Sequence, residues 1–196
     1  MYTLFIDTHD KNVVLIVFKD GKVFKMKNVL SQNKHSEITM PLLDELLKEV
    51  GIEVNDINEV IVVPGPGSFT GERIAVTIAK TIAYCLSVPI KTIDSLTMLA
   101  INVAGDKKCI ALEDRNGAFV GEFDSNNKLI KDIVYMNKTI YLEYKENNDV
   151  ITDVDVDYDK VYEFTKGLNT LNPHEVKPLY IKGISAIDDK RVNNWG

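Results

Sequence analysis

The chain has 196 residues, of which 45% are hydrophobic, and its formal net charge at pH 7 is −6. This composition is too apolar for a disordered chain and supplies enough core for one domain or two closely packed lobes. The acid excess argues against a free-standing nucleic-acid binder, because neutralising phosphates requires a clustered excess of Lys and Arg that the sequence does not show.

The start of the chain predicts a meander of three strands. Residues 2–6 and 13–18 are apolar and β-branched, and a third strand near 22–26 follows the hairpin turn Lys-Asp-Gly at 19–21. The apolar residues at the start of the chain end at the charged residue Asp7 and are too few for a signal peptide. No later stretch approaches the roughly 20 consecutive apolar residues of a membrane span. We therefore expect a cytoplasmic protein without membrane contact.

A helix is predicted after His35, ending at Gly51 as a C-terminal cap. Its apolar side is formed by Ile38, Leu42, Leu43, Leu46, Leu47 and Val50. Pro41 is expected in or near the first turn, where the lost N–H donor matters least, so the helix should begin no earlier than Ser36. For His35 the sequence favours a hydrogen bond at the helix start over a catalytic role.

The stretch from Glu59 to Leu86 predicts a buried strand, a glycine turn and a second helix, and the rest of the chain is organised around it. The β-branched run 59–63 stops at Pro64, and Ser68 or Thr70 can cap the helix that follows. Two rows of small or branched side chains recur along this helix: Ile74, Ile78 and Ile82, and beside them Ala75, Ala79 and Ala83. So much apolar circumference predicts burial on two sides.

A strand, a glycine turn and a helix start are the usual geometry for holding a phosphate, because free N–H groups converge there. The candidate binding positions are Gly65, Gly67, Ser68 and Thr70. Neither nucleotide motif matches, since Glu72 stands where the Walker pattern requires Lys and Thr70 where the dinucleotide pattern requires Gly. The sequence favours a tight packing connection over a phosphate cradle, and both alternatives stay open.

The second half of the chain predicts a lobe that opens as the first did. Before it, the first lobe is predicted to end with a strand at 88–93 and a helix at 95–104 capped by Asp94 or Ser95, followed by a polar break at 105–108. The second lobe is then predicted to contain strands at 109–114 and 118–124 around a hairpin turn and strand-like runs at 129–136 and 139–144. A loop or edge segment at 145–159, a helix around Val161, Phe164 and Leu168, and a last strand at 176–181 complete the prediction. The second lobe is thus expected to be the smaller one.

Residues with reactive side chains match no ligand or redox spacing in this sequence. Cys85 and Cys109 are predicted to be buried thiols, and His9 is expected at the surface. Asp10 adds negative charge to the turn at 7–12, which disfavours a triphosphate there.

Three stretches closely resemble the TsaB family, the accessory subunit of bacterial tRNA threonylcarbamoyladenosine synthesis: PGPGSFTGERIAV at 64–76, SQNKHSEITMPLLDELL at 31–47 and IDT at 6–8. This resemblance implies a duplicated actin-like α/β fold (ASKHA, RNase H-like) with mixed sheets flanked by helices and a reduced second lobe. The expected lobes are 1–104 and 105–182, with a tail at 183–196. Lys182 would take the place of the Arg in the terminal Pro-x-Tyr-Leu-Arg signature of the family.

The resemblance implies a role without catalysis. The catalytic relative TsaD carries two metal-binding histidines one helical turn apart, and here Thr39 stands one turn after His35, so neither a metal nor a cofactor is expected. Glu113 and Asp114 should point to opposite faces of a strand and cannot act together. The implied function is a scaffold for a TsaD-type catalytic subunit, with a TsaE-type ATPase in the assembled complex and tRNA reached only through it. The alternative is a small ATP-binding phosphotransferase or hydrolase that uses the loop from Gly65 to Gly71.

The two predicted helices form a self-complementary ledge, which the resemblance identifies as the docking site for TsaD. The alanine row is expected to let another helix approach closely, and a homodimer through this face is an alternative when the partner is absent. The predicted interface residues are Glu37, Pro41, Glu45, Arg73, Val76, Thr77 and Lys80. That both helices simply cover the sheet is the other alternative.

Overall fold

The computed structural model describes residues 1–181, and the predictions for the tail at 183–196 and for Lys182 lie outside them. The first sheet contains β1 (Tyr2–Asp7), β2 (Asn12–Lys19), β3 (Lys22–Leu30), β4 (Ile57–Val62) and β5 (Ile90–Thr92) in the order β3-β2-β1-β4-β5. The second contains β6 (Lys107–Asp114), β7 (Gly117–Asp124), β8 (Leu129–Asn137) and β9 (Val150–Ile151) in the order β8-β7-β6-β9. The α-helices of this part of the chain are α1 (His35–Val50), α2 (Phe69–Leu86), α3 (Ser95–Ala100), α4 (Lys138–Asn147) and α5 (Tyr158–Thr165).

The two sheets repeat one topology. In the first, β1 pairs antiparallel with β2 and parallel with β4; in the second, β6 pairs antiparallel with β7 and parallel with β9. The second copy is smaller, because β9 has 2 residues where β4 has 6. The predicted duplicated actin-like fold, with two mixed sheets flanked by helices, is confirmed.

The central strands of the first sheet are buried on both faces. Leu4 and Ile6 pack under α1 and α2, whereas Phe5, which lies between them in sequence, packs with Val161 and Tyr162 of α5. Strands with two buried faces have continuous apolar sequences, which made them predictable. The helix α5 therefore returns from the second half of the chain to cover the first sheet.

The helix α3 lies between the two cores. Met98 packs with the aromatic face of the first sheet, whereas Leu96 and Ala100 pack on the second sheet. The helix is shorter than predicted. The ammonium group of Lys108 donates to the carbonyl of Ala100, the last residue of the helix, at 3.0 Å and to that of Val103 at 3.2 Å. Burial lowers the pKa of Lys108, and Asp124 partly offsets this.

The strand predicted at 139–144 is wrong, because these residues lie in α4. The side chain of Asn137 accepts a hydrogen bond from the N–H of Ile140 at 3.0 Å, which caps the first turn. Tyr141 is 4% exposed and packs on Ala111 and Val120. A cap and one buried face therefore override the strand propensity of a β-branched and aromatic run.

The last strand predicted at 176–181 is also wrong. A short bridge forms earlier, between Leu171 and Ile90 of β5, and the N–H of Leu179 donates to Pro64 at 2.8 Å. Pro178 lacks the N–H that a continuous ladder needs. The residues 171–181, called here the C-terminal segment, therefore follow the first lobe without regular structure.

The start of α1 differs from the prediction as well. The helix begins at His35 instead of Ser36 or later, and Pro41 lies inside it, beyond the first turn. Tertiary contacts of His35, described below, extend the helix at its start. Within residues 1–181, no helix has the length and apolar character to cross a membrane.

Candidate functional site at the glycine loop and the α1–α2 face

The loop between β4 and α2 packs directly against the turn that follows β1. The N–H of Ser68 donates to the carbonyl of His9 at 2.6 Å, and the hydroxyl of Thr8 donates to the carbonyl of Gly71 at 2.6 Å. A side chain at Gly67 or Gly71 would collide with the carbonyl of His9 or Thr8, respectively. These two glycines therefore allow two backbones to approach closely.

The same contacts occupy the place where a phosphate would bind. The side chain of Ser68 caps α2 by accepting from the N–H of Gly71 at 3.3 Å, while its own N–H is taken by His9. Glu72 is 2% exposed and its carboxylate lies against Gly65, whose φ is +116°. A buried carboxylate beside the loop repels an anion. The contacts favour the packing role of the loop, with Thr70 exposed at its outer end.

His9 is buried, so its predicted surface position is wrong. Its exposure is 7%, and its Nδ1 lies 2.6 Å from the carboxylate of Asp7. Burial alone lowers the pKa of His9, but the attraction and hydrogen bond of Asp7, with smaller contributions from Asp10 and Glu72, raise it above the ordinary value of 6.5. The Asp7–His9 pair is thus buried where the turn after β1 packs against the loop before α2.

His35 joins α1 to the same turn. Its Nε2 lies 2.7 Å from the carbonyl of Asp10, and its side chain is buried. The hydroxyl of Thr39 donates to the carbonyl of His35 at 2.6 Å. Among the residues that the structure describes, no group of three or more His, Cys, Asp or Glu side chains is arranged to hold a metal ion. The contacts of His35 fit the helix-start role favoured by the sequence.

Part of the predicted interface faces inward. Ala75, Ala79 and Ala83 have no exposed surface, and Val76 is 3% exposed; all four lie in the core between α2 and the first sheet. These positions share one arc of the helix and therefore face the sheet together. The predictions that the alanine row receives another helix and that Val76 points outward are wrong.

Other predicted interface residues lie on the outside of the helix pair. Glu37, Pro41 and Thr77 are exposed. Glu45 is exposed too, but its carboxylate pairs with Lys27 of β3 at 2.8 Å. The outward surface of the pair therefore runs over Glu37, Pro41 and Thr77, with Glu45 at its β3 side.

The C-terminal segment borders α2 on the side that carries Arg73 and Lys80. The ammonium group of Lys80 donates to the carbonyl of Val176 at 3.2 Å, and the Nε of Arg73 donates to the hydroxyl of Tyr180 at 2.8 Å. Arg73 and Lys80 therefore contact residues of the same chain at the border of the outward surface.

Comparison with known proteins gives the relationship of the chain. Residues 29–137 match the sequence profile of TsaD, tRNA N6-adenosine threonylcarbamoyltransferase, which is more than half of the chain. The chain is 31% identical over 137 residues to the tRNA threonylcarbamoyladenosine biosynthesis protein TsaB of Bacillus subtilis, in an alignment that covers 68% of this chain and 60% of that protein. The chain belongs to the TsaB family.

Two further relatives cover the TsaB-family chain almost completely. An uncharacterized Mycoplasma pneumoniae protein, the MG208 homolog, is 29% identical over 194 residues, which are 92% of this chain and 95% of that protein. A crystal structure of a Pseudomonas aeruginosa protein with similarity to peptidase YEAZ superposes with a TM-score of 0.75 at 16% identity, over 92% of this chain and 99% of that one. The superposition shows that this chain and the Pseudomonas aeruginosa protein share a fold.

The second lobe of this TsaB-family chain holds the other candidate residues apart. Glu113 accepts from the hydroxyl of Tyr141 at 2.7 Å and pairs with Lys145 at 2.8 Å, whereas Asp114 accepts from the hydroxyl of Tyr135 at 2.9 Å. The two adjacent carboxylates therefore bind different partners, in agreement with their predicted opposite orientation.

The predicted burial of both cysteines of this TsaB-family chain is only partly right. Cys85 is exposed near the end of α2, whereas Cys109 is partly buried and lies 3.5 Å from the hydroxyl of Tyr144. Burial raises the pKa of Cys109, and the hydrogen bond between its sulfur and the Tyr144 hydroxyl offsets part of this. Within residues 1–181, no hydrogen bond joins either sulfur to a histidine.

A cavity of about 650 Å³ was not predicted from the sequence of this TsaB-family chain. It lies beyond the ends of β4 and β5, with a wall that includes Ile93 and Phe164 and polar residues that include Asp94 and Lys128. Its lining comes from distant parts of the sequence, so no local pattern marks it.

Proposed function

We propose that the chain is a non-catalytic scaffold subunit in the biosynthesis of threonylcarbamoyladenosine in tRNA, and that it acts in the cytoplasm. The names of its TsaB relatives support the pathway. The absence of catalysis is supported by the packed glycine loop, where the backbone of His9 takes the N–H of Ser68 that would otherwise face a phosphate. This packing is the observation that carries the proposal.

The partner is a TsaD-type catalytic subunit, and the docking surface is the outward side of α1 and α2. Met40 is 53% exposed there, next to exposed Pro41, and Thr77 is exposed on α2. Methionine is one of the residue types enriched at protein interfaces. A TsaE-type ATPase joins the assembled complex, tRNA is reached through the complex, and a homodimer through the same face forms when the partner is absent.

Replacing Thr77 by Arg tests this docking surface. The new charge would be buried without a partner at the junction, so we expect association to weaken by about 3 kcal/mol, or roughly 100-fold, while the fold is retained. Affinity for the TsaD-type protein of the same cell is measured by titration in solution. Val76→Arg is unsuitable as a test, because Val76 lies in the core and its replacement would unfold the chain.

Thr139→Arg is the matched control, since it places the same change on an exposed helical threonine of the second lobe. Equal affinities of the two variants would show that docking uses another surface. Calorimetric titration of the chain alone with ATP and magnesium tests the alternative function. Stoichiometric nucleotide binding would favour a phosphotransferase or hydrolase over the scaffold.

A further inference from the structure

A row of aromatic and basic side chains follows the side of α2 that the C-terminal segment borders. We call it the aromatic–basic strip; its residues are Phe69, Arg73, Lys80 and Tyr84 on α2, and His174 and Tyr180 on the C-terminal segment. Contacts between the two chain segments define it along its length. They run from the rings of Phe69 and Tyr180, 5.2 Å apart, to those of Tyr84 and His174, 4.9 Å apart.

The rings of the aromatic–basic strip remain open to solvent despite these contacts. Phe69 is 55% exposed, Tyr180 52% and Tyr84 61%. The guanidinium of Arg73 lies 3.9 Å from the centroid of the Phe69 ring and 5.8 Å from that of the Tyr180 ring. Exposed rings held rigidly beside a flat cation form a platform for another planar group.

The positive charges of the aromatic–basic strip face neutral partners. Arg73 donates to a tyrosine hydroxyl and Lys80 to a backbone carbonyl, so neither contact neutralises the charge. Exposed Glu175 and Lys177 of the C-terminal segment offset each other, so Arg73 and Lys80 leave this side of α2 positive, although the whole chain has a net charge of −6. Local positive charge on an acidic protein fits an anionic partner at this place.

The geometry points to a single-stranded stretch of RNA as the partner of the aromatic–basic strip, with unstacked bases on Phe69 and Tyr180 and phosphates beside Arg73 and Lys80. Single-stranded nucleic acid is bound by this combination of stacking rings and basic groups, whereas a duplex hides the faces of its bases. Seven helical residues separate the two cations, or about 10 Å, the length of roughly three stacked nucleotides.

This inference rests on the proposed function, because a role in tRNA modification is what favours RNA over an acidic protein. The strip adjoins the docking surface, because Thr77 lies one helical turn from both Arg73 and Lys80 on the same face of α2. An RNA contact here would add to the affinity of the assembled complex, and the acid excess of the chain would keep its own affinity low.

The test measures binding of a labelled anticodon stem–loop RNA to the full chain at low salt, and to its complex with the TsaD-type subunit. Phe69→Ala and Tyr180→Ala should each weaken binding about five-fold or more, because each removes one stacking surface. Tyr180→Phe keeps the ring and should stay near the wild type. Arg73→Gln should make the dependence on salt less steep by about 0.7 in the log–log slope. Phe24→Ala is the control, since Phe24 is 51% exposed on β3.

A fully paired hairpin of the same length is the second probe, and the wild type should bind it more weakly. Equal RNA affinities of Phe69→Ala, Tyr180→Ala and Phe24→Ala would overturn the inference. So would strip variants that lose the TsaD-type subunit but keep their RNA affinity, since the strip would then be a protein contact. If the wild-type chain fails to assemble with the TsaD-type subunit, the proposed function fails, while the measurements on the chain alone still decide the RNA contact.

Discussion

At the scale of single residues, Gly67 and Gly71 hold the junction between the β1–β2 turn and α2. Each lies where a side chain would meet a carbonyl of the turn, and Ser68 between them bonds to that turn through its N–H. The glycines of this loop are visible in the sequence, but glycine is needed both where a loop binds a phosphate and where another backbone approaches closely. Only the structure shows which of the two applies.

Replacing Gly71 by Ala should destabilise the chain, because the added carbon would collide with the carbonyl of Thr8 and force α2 or the turn to move. We expect a loss of about 1 to 3 kcal/mol, which a urea unfolding curve measures. Gly167→Ala is the matched control, since the added carbon would meet the nearest atom, the carbonyl of Phe164, at an ordinary 3.6 Å. If both variants had equal midpoints, the close approach at Gly71 would be refuted.

At the scale of elements, α3 depends on its N-terminal cap. The carboxylate of Asp94 accepts from the N–H of Thr97 at 2.8 Å. Asp94→Ala should therefore lose about 1 kcal/mol of unfolding free energy, while Asp94→Asn retains an acceptor and should lose much less. Thermal or urea unfolding of both variants near neutral pH separates the two outcomes. A loss shared equally by Ala and Asn would mean that charge, and not capping, sets the effect.

The burial of Asp94 also makes the stability of the chain depend on pH. Burial raises the pKa of Asp94 above its ordinary value of 3.8, and the hydrogen bonds from Thr97 only partly oppose this. The folded state thus favours the protonated form; this stabilisation is complete below pH 3.8 and is lost as the pH rises through the raised pKa. Relative to Asp94→Asn, which does not titrate, the wild type should lose stability over that interval. A constant difference in unfolding free energy across it would contradict the raised pKa.

Elements with a strong periodic pattern were predictable from the sequence, and those determined by distant contacts were not. The apolar strands around Leu4 and Val60 and the helix after Ser68 were predicted, because local pattern and fold agree there. The strand prediction for residues 139–144 was wrong because these residues form α4, whose N-terminal cap, Asn137, does not enter an analysis of sequence periodicity. His9 was misplaced because its burial depends on a loop far along the chain.

At the scale of the whole molecule, the first sheet is covered by residues from both halves of the chain. The rings of Phe18 on β2 and Tyr162 on α5 lie 4.8 Å apart, and Phe5 belongs to the same core. The C-terminal segment adds the bridge from Leu171 to Ile90 at the edge of the sheet. The lobe predicted at 1–104 therefore lacks part of its own cover.

A fragment of residues 1–104 should consequently not fold cooperatively. Without α5 it would expose the face of the first sheet that carries Phe5, Ile16 and Phe18, and large exposed apolar surfaces lead to aggregation. Circular dichroism and urea unfolding of the fragment, compared with a chain of residues 1–181, provide the measurement. A soluble fragment with a sharp transition would establish 1–104 as an independent domain.

The late arrival of α5 also bears on how the protein is made. A ribosome releases β1 to β5 well before Val161 and Tyr162, so the aromatic face of the first sheet waits for α5 while residues 93–157 are synthesised. This face can therefore be covered by α5 only after nearly the whole chain has been synthesised, whereas a lobe with all its elements adjacent in sequence can fold as it leaves the ribosome. During that interval the nascent chain presents a ready binding surface to chaperones and to neighbouring nascent copies.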